Sequence, residues 1–160
     1  MPLPRTTTAL LTMSALNLAL MVPGGFVETR TFAGYSVSVL AAFNVFLTGL
    51  GIGSLILAFR ILRTGRSGLA APAAGLAYVA VYGLDLLRIF PIATTPMSMT
   101  LATMEWGGTA LGAATVLAGV LSIAGKTDTR APEKRLPRWV VILIAAMALA
   151  IVTFATLSAK

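Results

Sequence analysis

The sequence predicts an all-α integral membrane protein, a bundle of five transmembrane helices with its N-terminus in the cytoplasm and its C-terminus outside. Three observations predict it. Of 160 residues, 58% are hydrophobic and 11% charged, and the mean hydropathy is +0.92, a balance outside the range of soluble domains. Apolar stretches recur five times at about the length, roughly 20 residues, that crosses a hydrocarbon core of about 30 Å. Basic residues fall into alternate gaps between those stretches, the pattern that sets orientation in a membrane.

The stretches cover about 7–22, 36–59, 70–90, 101–124 and 139–159, and the connections are too short to hold a soluble domain, so 1–160 reads as one membrane domain. In the first, Arg5 ahead of an apolar run resembles a signal peptide in outline. "LALMVPGG" offers no good small-x-small cleavage site, so a retained helix is expected. Its Asn17 is an amide in hydrocarbon that needs a partner on a neighbouring helix.

The second stretch contains "TGLGIGS", whose glycines do not complete GxGxxG and follow no strand, which excludes a dinucleotide loop. Gly49 and Gly53 share a face with Ser38 and Ala42, while Asn44, Thr48 and Gly51 form a second stripe. Two such faces suit a central helix, or one that also meets another subunit. At 100° per residue the third stretch puts Ala71, Ala74, Gly75, Tyr78, Tyr82 and Asp85 on one side and Leu76, Ala80, Leu87 and Phe90 on the other, with Pro91 as the stop. The fourth puts Glu105, Gly108, Gly112, Thr115, Gly119 and Ser122 inward, opposite Trp106, Ala110, Ala113, Leu117 and Leu121. The fifth begins at Trp139, an interfacial aromatic.

Arg5, the loop 60–69 with Arg60, Arg63 and Arg66, and the loop 125–138 with Lys126, Arg130, Lys134, Arg135 and Arg138 are expected on the cytoplasmic side. The outer loops 23–35 and 91–100 lie opposite, with Arg30, Arg88 and Lys160. The formal charge of +7 is therefore mainly a topology device with weak attraction to anionic headgroups, and nucleic acid is not an expected partner. The plasma membrane of a prokaryote is the expected location. The chain has neither cysteine nor histidine, which excludes disulfides, thiolate and HExxH metal sites, histidine-ligated haem and Ser-His catalysis. Acid-base work would fall to five carboxylates.

Three of those five, Glu28, Asp85 and Glu105, are expected at the outer end with Arg30 and Arg88. "YGLDLLRIFP" sets Asp85 and Arg88 three apart, so one reading is an ion pair along the helix, with Arg88 reaching outward and the other charges tying the first loop down. A second is a vestibule for a proton, a cation or a small zwitterion, because ionisable groups inside a membrane are functional candidates. A third is a charged socket for a partner subunit. Tyr78 and Tyr82 stand one and two turns below Asp85, where their hydroxyls could bond it or each other.

Met97, Met99 and Met104, with Met21, form a weaker candidate set for Cu(I), which favours thioethers; methionine as apolar filler is the ordinary alternative. Asp85 with Glu105 could act as acid and base in a lipid-modifying enzyme. "YGLD" does not match the GxGD of membrane aspartyl proteases. No cofactor is expected. The reading these residues favour is a non-catalytic small subunit of a homo- or hetero-oligomeric membrane complex, its partners the lipid bilayer and other subunits or copies of itself. The alternative is a small transporter or channel for protons, cations or zwitterions.

Overall fold

Proline and glycine divide the chain into helices at nearly the expected places. A computed structural model describes residues 3–124 and 138–159, and contains α1 (Leu3–Leu20), α2 (Val37–Thr64), α3 (Ala70–Leu86), α4 (Met99–Ala124) and α5 (Arg138–Ser158). No strand occurs among the described residues. Three helices, α2, α4 and α5 over Trp139–Ser158, are long and apolar enough to cross a membrane. The basic residues expected at 126–135, and Lys160, lie outside the described residues.

Three boundaries depart from expectation: α1 begins at Leu3, so Arg5 lies in its first turn rather than ahead of it, and two helix ends differ for local reasons. α2 continues to Thr64, so Arg60 and Arg63 sit on its last turns rather than in a loop, and Gly65 ends it in the left-handed region (φ 69), donating to Ile61 O at 2.7 Å. α3 stops at Leu86, well before Phe90. The residue before a proline is pushed out of the helical region, and the helix closes early through paired bonds, Arg88 N–H to Asp85 O at 2.8 Å and Ile89 N–H to Leu84 O at 2.8 Å. That closure requires Arg88 to adopt φ 54, a position usually given to glycine.

Close backbone contact joins α3 to α4. A Cβ on Gly75 would lie 2.7 Å from Gly112 O and Val116 N, and one on Gly119 would lie 2.6 Å from Pro72 Cδ. The inward stripe expected on α4 is buried throughout, and the opposite stripe of Trp106, Ala110, Ala113, Leu117 and Leu121 is exposed. α1 packs on both α2 and α4, while among the helices α5 packs on α2 alone. Asn44 of α2 donates to Thr156 Oγ1 of α5 at 3.2 Å.

The ends of α1, α3 and α5 and the starts of α2 and α4 meet under a cap built from residues 21–36 and 87–98. Phe32 N–H bonds Ala159 O at 2.9 Å, Thr94 N–H bonds Thr31 O at 3.3 Å, and Ile92 N–H bonds the Tyr35 hydroxyl at 3.0 Å. Phe90, expected on the outer face of α3, instead turns its ring edge-on to Tyr35 and Phe43, because the helix has ended before it. At the opposite end Thr8 Oγ1 donates to Ala58 O at 3.3 Å, and Thr7 and Ser122 hydroxyls meet at 3.4 Å.

Candidate cation site beneath the cap

Glu28 and Arg30, two residues apart in the cap, fold onto each other. The Glu28 carboxylate accepts from the Arg30 backbone N–H at 2.9 Å, from Nε at 3.0 Å and from Nη2 at 2.6 Å. The remaining edge of the guanidinium faces α3, where Nη1 and Nη2 donate to Asp85 Oδ1 and Oδ2 at 3.1 and 2.6 Å, a two-pronged pairing that fits the planar fork of arginine. Glu105 of α4 completes the group: its Oε1 lies 3.6 Å from Nη2, near enough for charge attraction and too far for a hydrogen bond. Among the described residues no donor reaches either Glu105 oxygen although the residue is only 1% exposed; the side chain at hydrogen-bonding range is the Asp85 carboxylate, itself an acceptor. Burial alone would lower the Arg30 pKa, but the hydrogen bonds and charges of Glu28 and Asp85 outweigh it and raise the pKa above its ordinary value.

Arg88 is not part of this group. Its left-handed backbone carries it away from the helical i,i+3 position; it is exposed and makes no ion pair among the described residues. The pairing expected between Asp85 and Arg88 is replaced by Asp85 with Arg30. The balance shifts too, from three negatives against two positives to three against one, so the ionised cluster carries a formal −2. Buried charge of one sign is costly, and the group is balanced only by protons or by a cation from outside.

The two tyrosines face inward as expected but do not bond Asp85 or each other. Their rings stack at 6.2 Å and 15°, which sends the hydroxyls to neighbouring helices. Tyr78 donates to Ser54 Oγ of α2 at 3.0 Å, and the Tyr82 hydroxyl accepts from Asn17 Nδ2 at 3.1 Å. Asn17 also donates to Met104 O at 3.1 Å, so its amide does find partners across the bundle. Gly108 makes room for this junction, since a Cβ there would collide with the Tyr82 ring.

The methionines are brought together only in part. Met21 Sδ accepts from Asn17 Nδ2 at 3.7 Å, the amide that also bonds the Met104 backbone oxygen, whereas Met97 lines the groove outside Asp85 and Arg88, and Met99 is 86% exposed at the start of α4. Among the described residues no group of three or more acidic side chains is arranged to hold a metal ion. The centre of the carboxylates is occupied by the guanidinium.

Beside the cluster a cleft with about 50 Å³ of space inside it, partly open to the surroundings, reaches Glu28, Asp85 and Glu105. Its other walls include Leu18, Phe32, Phe43, Leu47 and Val81. Below Glu105 the interior holds a column of buried polar groups that the sequence reading recognised only in part. Tyr82 and Asn17 come first, then Tyr78 with Ser54, then Ser14 and Thr115, and finally Thr7 with Ser122 at the far end. Ser14, Ser54 and Thr7 went unnoticed because single hydroxyls in an apolar run carry no motif; their helical spacing was the available signal.

No curated protein and no solved structure matches the chain. Residues 3–135, which include every member of the charged cluster and the polar column, match the model of the family described as a domain of unknown function, DUF8051, and the chain belongs to that family.

Proposed function

We propose that the protein is a five-span membrane protein that binds, and passes inward, a proton or small cation through the carboxylate cluster beneath its outer cap. The observation that carries this reading is Glu105: a carboxyl with two buried, unpartnered oxygens in a group that already has more acids than bases. The hydroxyl column toward Thr7 and Ser122 supports passage rather than capture alone, since it gives a moving cation or proton oxygen partners through the apolar core. Orientation is supported by the charges at the two ends: Arg5, Arg60, Arg63 and Arg66 gather at one, Arg30 and Arg88 at the other.

Flux in proteoliposomes tests the reading. Glu105→Gln should abolish proton or cation flux in a protein that still folds, and Arg88→Gln should leave it near wild type. Equal flux from wild type and Glu105→Gln would overturn it.

A second reading, a subunit of a membrane complex, is favoured by the open face of α2. Among the described residues no atom outside the helix's own backbone lies within 4 Å of a Cβ placed on Gly49 or Gly53, and the open groove they form with Ala70 and Ala74 has a volume of about 320 Å³. Small residues left open in this way suit close approach by another helix. Native mass spectrometry after mild extraction should then show oligomer, and a purely monomeric species would sink this reading.

A further inference from the structure

We infer that the cleft beside Glu105 takes an organic ammonium, a protonated amine carrying a short apolar group. This rests on the cation reading above and names the cation. The charged side chains lining the cleft are Glu28, Asp85 and Glu105, with no basic residue among them. Arg30 is bonded to Glu28 and Asp85 and contributes instead to the groove on the other side of Asp85. An anion is therefore repelled.

The remaining walls separate the kinds of cation. A hard metal ion needs about six or more oxygen ligands or retained waters, and among the described residues no three acidic side chains converge to hold one, while Leu18, Phe32, Phe43, Leu47 and Val81 add only apolar wall. A bare proton would leave those apolar walls uncovered. An ammonium carries its own N–H donors to the two Glu105 oxygens that lack them, and its apolar part covers the hydrophobic walls. The rings of Phe32, Phe43 and Tyr82 can add attraction between a cation and an aromatic face. The space inside the cleft is about 50 Å³, room for an ammonium head and its first carbons, and the cleft is open on one side, so a short apolar group can run out along the hydrophobic wall.

The test is calorimetric titration of the full chain in lipid nanodiscs with n-pentylammonium chloride, with n-pentanol, sodium pentanoate and ammonium chloride as comparators. Pentylammonium should bind saturably and far more tightly than the other three. Glu105→Gln should weaken it about tenfold or more, the loss of a hydrogen bond to a charged group. Should that variant fold poorly, Val81→Trp, which fills the apolar wall and spares the acids, should weaken pentylammonium several-fold.

Equal binding of pentanol, equal binding of ammonium, or unchanged affinity in both variants would overturn the assignment. If amine binding is absent while flux still depends on Glu105, the ligand class falls and the cation reading stands. If flux is also indifferent to Glu105, both fall.

Discussion

Replacing Arg30 by methionine removes the one positive charge at the centre of three buried carboxylates. The guanidinium is 7% exposed and makes five side-chain hydrogen bonds, three to Glu28 and two to Asp85. Removing one partner of a buried ion pair typically costs about 3–5 kcal/mol, mainly because the remaining charge is left uncompensated. Asp85, whose side chain is 14% exposed, keeps some contact with solvent that offsets part of the loss, so the lower half of this range is expected at neutral pH. Arg30→Lys keeps the charge but cannot grip two carboxylates with one planar fork, and should cost about 1–3 kcal/mol.

The pH dependence follows from the sign of each group. Arg30 has its pKa raised, so its contribution is fully present below its unfolded-state value and is lost only at extreme alkalinity; it is constant across neutral pH. The deficit of Arg30→Met should therefore be the same at neutral and at mildly alkaline pH. Reversible unfolding of the full chain in bicelles at two pH values reads this directly. A variant within about 1 kcal/mol of wild type at neutral pH, or a deficit that disappears at mildly alkaline pH, would refute the reasoning.

Other substitutions separate the remaining contacts. Arg88→Gly should stabilise the fold by about 0.5–1 kcal/mol in the same assay by relieving a positive φ, whereas a real ion pair with Asp85 would make it destabilising. Gly75→Ala should cost about 1–3 kcal/mol because its new methyl meets backbone on α4, which cannot rotate aside. Gly49→Ala meets nothing and should be neutral or slightly stabilising in the monomer; a loss of oligomer in native mass spectrometry would mark that face as an interface. The chain has no native cysteine, so single cysteines at Thr95 and Gly65 report topology cleanly: an impermeant thiol reagent added outside should label only the first.

The helices and their buried faces were legible because lipid and protein sort side chains by one simple rule. On α4, the spacing of Glu105, Gly108, Gly112, Thr115, Gly119 and Ser122 was enough to define the inner face. The partner of Asp85 was less legible. Arg88 was the nearest basic residue in sequence, and the decisive fact, that α3 closes before it, depends on a few backbone bonds near Leu84 and Asp85. Pro91 carried part of that information: Phe90 had to leave the helix, so Arg88 lay within two residues of an unavoidable end.

The pairing of Arg30 with Asp85 spans 55 residues and depends on how the cap settles over the bundle, which no local pattern encodes. The hydroxyls of Tyr78 and Tyr82 were placed on the correct face and given the wrong partners. Helical phase fixes which way a ring leaves its own helix, but the approach of α1 and α2 decides which atom it meets.

The central claim is that Glu105 is the vacancy in an acid-rich cluster, filled by a proton or by a cation. Infrared difference spectroscopy of the protonated-carboxyl stretch, wild type against Glu105→Gln with and without added pentylammonium, measures this most directly. The account predicts a carboxylic-acid band that is absent from the variant and that diminishes in wild type when the ammonium enters and displaces the proton. A spectrum with no band dependent on Glu105, unchanged by the ammonium, would contradict it.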